Sequence, residues 1–238
     1  MLNPHSNEDL KQTEPDLFLF MASAVHDMKN SLTLMHHTVE TLLKDTHYQS
    51  NPAFPQISHM LFETDRLNHK LIQMLAIYKK VGTRAYPYDP QMISLPDFAM
   101  AVAAHHGLLL DARHIRLDVA VPHDLSWIFD EDVVLGVINH AVNNAIRHTK
   151  DRIGLTIREV NGMLEMRVDD NGDGMPESML AMPQAIRSGV NFATGSSGLG
   201  LYFSHQAAIM HRHAGRCGDI ALANGGLYGG GGFMLHLP

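Results

Sequence analysis

From Asp16 to Lys44 the chain runs without a proline or a glycine, and its apolar residues recur every three or four positions. Leu17, Met21, Ala24, Met28, Leu32, Met35, Val39 and Leu42 trace one stripe, the period of an amphipathic α-helix. The segment DTHYQSNPAFP at 45–55, with two prolines, breaks the pattern. A second stripe then runs from Ile57 to Lys80 through Met60, Leu61, Thr64, Leu67, Leu71, Met74, Leu75 and Tyr78. Two long helices with a short joint make an antiparallel hairpin over 16–81. One hairpin covers only part of such stripes. A second copy, completing a four-helix bundle, covers the rest, so a homodimer is expected. The alternative is a hairpin packed on the chain's own second half.

The segment GTRAYPYDPQMISLP at 82–96 is rich in Gly, Pro and Tyr and reads as a linker. Beyond it the texture changes. Leu95–Leu110 and Asp130–Thr149 carry helical periodicity, the latter opening on Asp-Glu-Asp, which favours a helix N-terminus. Ile115–Val121 and Leu125–Phe129 read as strands. Ile153–Glu159 and Met163–Asp169 are β-like runs joined by Asn161-Gly162, a hairpin turn signal. Gly200–Ala214 reads as a helix, and Asp219–Ala223 with Gly232–Leu237 as a closing hairpin. Helices alternating with antiparallel strands predict an α/β sandwich over 97–238.

Composition removes several classes. Lys plus Arg number 18 against 25 Asp plus Glu, a formal charge of −7, which argues against nucleic acid as a partner. The one cysteine, Cys217, rules out an intrachain disulfide and fits a reducing compartment. Seventeen histidines are present, but no CxxC or HExxH spacing accompanies them to suggest a metal centre. Residues 1–15 form a polar tail unlike a secretory signal. The apolar run Leu17–Val25 is far shorter than the ~20 residues of a membrane span. A soluble, cytoplasmic protein is expected.

Four pieces carry chemistry. On the first helix His26 and Asn30 lie one turn apart on a polar face, with Asp27 beside them. An exposed imidazole with a free ring nitrogen can accept a phosphoryl group. A neighbouring carboxylate can orient it, and an amide one turn away can position a water. Any solvated helix face could carry these residues. Second, NHAVNNAIRHT places Asn143 and Asn144 inside a helix, where asparagine is a mediocre former. Its amide oxygen is a suitable Mg2+ ligand. Arg147 and His148 follow within about one turn. Third, Asp169-Asp170-Asn171-Gly172-Asp173-Gly174 follows a strand. It is good turn chemistry, and it equally lets the backbone approach a flat ligand. Fourth, Gly195-Ser196-Ser197-Gly198-Leu199-Gly200 stands directly before a helix, where exposed N–H groups attract phosphate. It has neither the Lys-Ser/Thr of a Walker loop nor a Rossmann setting.

The order and spacing of these pieces resemble the ATP-binding domain of the GHKL superfamily, which includes histidine kinases, type II topoisomerases, MutL proteins and heat-shock chaperones. With a helical hairpin carrying HDxxN in front, residues 16–238 resemble a bacterial sensor histidine kinase. The resemblance implies an α + α/β protein: a hairpin dimerising into a four-helix bundle, then an α/β sandwich of the GHKL (Bergerat) type. It implies that His26 is the phosphorylated residue, Asp27 its acidic neighbour and Asn30 the residue linked to phosphatase activity toward the partner. Asn144 matches the Mg2+-binding asparagine, with Arg147 and His148 after it. Asp170 matches the adenine-binding aspartate, with Gly172 and Gly174 completing its loop. Gly195, Gly198 and Gly200 match the glycine loop beside the triphosphate. ATP and Mg2+ are the implied cofactors, and a response-regulator receiver domain is the implied partner. The first 15 residues are too few for a sensor domain, so input is expected from a separate protein or ligand.

Two features depart from that pattern. His140 stands where such kinases usually carry asparagine and gyrase-type relatives carry a water-activating glutamate. Transfer to a side chain is therefore the better reading than hydrolysis to solvent. The lid expected between Gly174 and Gly195 is short, with Phe192 as a remnant of the usual phenylalanine motif. The short lid favours a second reading, a non-catalytic phosphotransfer or scaffold protein with a degenerate ATP site. A third makes Asn30-assisted dephosphorylation of the partner the main activity.

Overall fold

A computed structural model describes residues 88–187 and 198–238, and, before them, residues 28, 31–35, 37–39, 41–42, 53, 56–57, 59–60, 63–64 and 67. His26, Asp27, Asn30, Phe192 and Gly195 lie outside the described residues. Every described residue in 28–42 and 56–67 is helical. Thr38 and Thr64 hydroxyls donate to the carbonyls of Leu34 and Met60, four residues back, at 2.8 and 2.7 Å, the back-bonding that helical threonines make. Val39 is buried against Ile57 and Leu108.

The rest is built around a five-stranded sheet of order β2-β4-β5-β9-β8. Its strands are β2 (Arg116–Ala120), β4 (Arg152–Val160), β5 (Met163–Asp170), β8 (Asp219–Asn224) and β9 (Gly231–Leu237). β2 runs parallel to β4, and every other pairing is antiparallel. Period-two alternation sends Ile153, Leu155 and Ile157, then Leu164, Met166 and Val168, then Phe233, Leu235 and Leu237 into one buried layer. Helices α1 (Leu95–Ala112), α2 (Glu131–His148) and α5 (Gly198–Met210) join that layer's core through Phe98, Val102, Ile138, Val142, Leu201 and Ala208. Two further short helices, α3 (Glu177–Leu180) and α4 (Met182–Arg187), follow β5.

Local chemistry explains the elements. Asp130 caps α2, its Oδ1 accepting from Val133 N–H at 3.1 Å. Asn161 and Gly162 both adopt positive φ, at 54° and 72°, the two-residue turn that β4 and β5 require. Buried His106 and Asn139 join α1 to α2 at 3.1 Å.

Two sequence readings are corrected. Residues 82–96 read as linker, yet Gln91–Ser94 form β1, paired antiparallel with β3 (Ser126–Phe129), and α1 starts at Leu95. Ile93 and Trp127 pack on the core, and the Trp127 indole donates to the Pro238 carbonyl at 3.0 Å. Met92 and Ile93 stand side by side in a proline-rich stretch and gave no alternation by which to see this strand. Residues 200–214 read as one helix, but α5 ends at Met210. His211 is buried there, and Arg212–His213 (β6) pairs with Arg216–Cys217 (β7) around Ala214 and Gly215. Ala214 and Gly215 have φ of 48° and 76°, so the chain turns back where composition alone continues a helix.

Candidate nucleotide site

Three chain segments converge at the C-terminal end of β5. Asp170 is the last residue of that strand and is buried. Its Oδ1 accepts from Gly172 N–H at 2.7 Å and Gly231 N–H at 3.2 Å, and its carbonyl from Gly230 N–H at 3.1 Å. Among the described residues nothing hydrogen-bonds Oδ2. The carboxylate is thus fixed through one oxygen, with the other left as an acceptor.

The glycines are required by close approach. A Cβ at Gly172 would fall on the His148 carbonyl, which closes the loop after β5 onto the last turn of α2. Gly174 has φ of +83°, and the Asn224 amide lies against it. Asn224 then holds the loop through two bonds with Met175, accepting from its N–H at 2.7 Å and donating to its carbonyl at 2.8 Å. Asn171 ties the same loop to the α2–β4 connection. Its Oδ1 accepts from Lys150, Asp151 and Arg152 N–H at 3.1 to 3.2 Å.

Asn144 lies on α2 between two contact points. One turn before it, the His140 ring fills the space that a Cβ at Gly200 would take, so α2 meets α5 there. One turn after it, His148 meets Gly172. Asn144 Nδ2 donates to His140 Nε2 at 3.3 Å. With its nitrogen engaged, the amide oxygen is the atom Asn144 offers to a ligand. Arg147 and His148 are exposed in the last turn of α2. Gly198 and Gly200 stand in the first turn of α5, and Ser204 donates to the Gly200 carbonyl at 2.9 Å. A helix N-terminus presents free N–H groups to an anion.

Asp170, Gly172, Gly174, Asn144, Arg147, His148, Gly198 and Gly200 therefore come together around α2, the β5 loop and the start of α5. The arrangement fits a nucleotide with a divalent cation. Asp170 Oδ2 suits an exocyclic amine, the approach at Gly172 admits a flat base, the α5 N-terminus suits phosphate, and an amide oxygen suits a hard cation. Sequence reasoning missed Asn171, Asn224, Gly230 and Gly231. The NGG and GGGG of 224–232 were a signal for a turn and gave no indication of its position against Asp170.

The chain is similar to known proteins of one kind. Residues 129–238 match the family of histidine kinase-, DNA gyrase B- and HSP90-like ATPases. An adaptive-response sensory kinase, SasA, of Gloeothece citriformis is 21% identical over 205 residues, covering 82% of this chain and 52% of its own. The nucleotide-free catalytic domain of histidine kinase ThkA superposes with TM-score 0.52 at 20% identity, over 63% of this chain and 95% of that domain. Full-length ShkA in complex with AMPPNP superposes with TM-score 0.55 at 17% identity, over 92% of this chain and 45% of its own. The chain spans about half the length of the curated relatives it matches. Residues 129–238 are thus similar to histidine kinase-, DNA gyrase B- and HSP90-like ATPase domains, in a chain similar along most of its length to sensor histidine kinases.

Proposed function

We propose that this chain, with its histidine kinase-type ATPase domain, is an ATP-dependent protein-histidine kinase of a two-component system. The observation that carries the reading is Asp170, pinned through Oδ1 with Oδ2 left to accept, in a site where His140 engages the Asn144 amide nitrogen and leaves its oxygen for a ligand. Asp170 accepts the adenine amine, Gly172 and Gly174 let the loop lie against the base, and Gly195, Gly198 and Gly200 cradle the phosphates. Asn144 holds Mg2+, which when bound neutralises phosphate charge. Arg147 and His148 face the phosphates. His26 Nε2 forms a bond to the γ-phosphorus as the bond from that phosphorus to the β–γ bridging oxygen breaks, leaving ADP. Positioning and electrostatics supply most of the catalysis. Asp27 orients the ring. The phosphohistidine then donates to an aspartate of a response-regulator receiver domain, and Asn30 serves the opposing activity, hydrolysis of that partner's phosphoaspartate by water to release inorganic phosphate.

A homodimer built through the hairpin is supported by Met28 and Met35, and Met60 and Leu67. Each pair is seven residues apart and exposed in the single chain, the spacing of an interhelical seam.

Incubation of the full chain with γ-labelled ATP and Mg2+ tests this. Acid-labile, alkali-stable label that vanishes in His26→Gln is expected. Nucleotide binding without label would shift the reading to a phosphatase, and no binding to a phosphotransfer scaffold.

A further inference from the structure

The β8–β9 connection does more than reverse the chain. Gly225 N–H donates to the Gly230 carbonyl at 2.9 Å and Gly229 N–H to the Gly226 carbonyl at 3.1 Å, closing a tight turn. The turn is pressed onto the end of β5. A Cβ at Gly226 would fall on Asp169 Oδ1, and one at Gly230 would fall on Asp170 Oδ1. Glycine keeps the backbone close enough for Gly231 N–H to reach Asp170 Oδ1.

A turn of glycines has little stiffness of its own. Its anchor is Tyr228, which reaches across the outer face of the sheet to β2 and β4. The hydroxyl donates to Asp118 Oδ2 at 2.7 Å. The Arg152 guanidinium sits 4.4 Å from the ring centroid, and its Nε donates to the same Asp118 oxygen at 2.6 Å. The ring lies over Gly154, where a Cβ would come within 3.0 Å of Cε2. Tyr228 and Arg152 hold the Asp118 carboxyl down to about 2, so this clasp keeps its charge across the working pH range.

We propose that Tyr228 is a positioning residue for adenine: by clasping Asp118 and Arg152 it holds the glycine turn so that Gly231 N–H fixes Asp170 Oδ1 and leaves Oδ2 aimed at the base. The proposal rests on Asp170 being the adenine acceptor. Carboxylate torsions are broad, so loss of the Gly231 bond leaves Oδ1 held by Gly172 N–H alone and widens the range over which Oδ2 swings.

The test compares ATP with purine riboside triphosphate, which lacks the exocyclic amine, binding to the full chain by calorimetry. Wild type prefers ATP. Tyr228→Phe, which keeps the ring and removes only the hydroxyl, weakens ATP about fivefold, the worth of roughly one hydrogen bond, and leaves the amine-free analogue unchanged. Asp118→Ala releases the clasp from the other side and gives the same selective loss. Equal weakening of both nucleotides, no weakening of either, or disagreement between the two variants overturns the proposal. If wild type binds the two nucleotides alike, the Asp170 assignment itself fails, and the proposal falls with it.

Discussion

His140 joins two parts of the candidate site, and its contacts show what it does in this chain. Its Nε2 engages the Asn144 amide nitrogen, and its ring occupies the only place a larger residue at 200 could put its side chain. Gly200→Ala therefore drives a methyl group into the imidazole. We expect that variant to lose about 1–3 kcal/mol of stability, the usual cost of overpacking, and to bind Mg-ATP at least several-fold more weakly. Adding His140→Ala relieves the overlap and restores the melting temperature. It does not restore Mg2+-dependent binding, because Asn144 has lost its partner. A double-mutant cycle read by both melting and nucleotide titration checks this, since residues in contact are non-additive. Asp170→Asn, which turns an acceptor into a mixed amide, is expected to weaken ATP by at least about tenfold while leaving the fold intact. Asn144, Asp170 and the glycines were legible in the sequence because their spacing along the chain is itself the signal. The roles of His140, Asn224 and Tyr228 were not, because each is defined by a partner on another element: Tyr228 and Asp118 stand 110 positions apart.

At the scale of elements, α2 organises the domain. Its N-cap Asp130 accepts from Val133 N–H through Oδ1 and from Asp89 N–H through Oδ2 at 3.0 Å, holding the chain just ahead of β1. Asp130 N–H donates to His211 Nε2 at 3.2 Å, while His211 Nδ1 donates to the Ala207 carbonyl at 2.8 Å. This fixes a neutral ring whose edge meets Tyr88, with centroids 5.2 Å apart. Burial pushes the His211 pKa below its ordinary 6.5. The unfolded chain therefore takes up a proton that the folded domain excludes. The stability linked to His211 is fully present above about pH 6.5 and is lost as pH falls below it, by up to about 1.4 kcal/mol per pH unit. His211→Gln, which can accept from Asp130 and donate to Ala207 without charging, should flatten the fall in melting temperature between pH 7.5 and 5.5. An equally steep fall in the variant would contradict this assignment. Strands with clean alternation, such as Ile153–Ile157 and Leu164–Val168, and the Asn161-Gly162 turn were readable because local periodicity and turn chemistry agree with the fold. β1 and the β6–β7 hairpin were not. Each is too short to show a period and is held by contacts to distant segments.

At the scale of the molecule, residues 129–238, which match an ATPase family, follow helical residues that expose two pairs seven positions apart, Met28 with Met35 and Met60 with Leu67. No helix among the described residues is long and apolar enough to cross a membrane. If the hairpin pairs with a second copy, Met35→Glu places a charge in the seam and converts dimer to monomer in sedimentation, with nucleotide binding unchanged. A variant that remains dimeric would move the interface elsewhere. The central claim is that a nucleotide held at Asp170 gives its γ-phosphoryl group to His26. The most direct measurement maps the phosphate on the intact full-length chain after brief incubation with Mg-ATP, by peptide mass spectrometry under alkaline conditions. The account predicts phosphate on His26 in wild type and none in Asp170→Asn. Phosphate on another residue, or on His26 undiminished in Asp170→Asn, would contradict it.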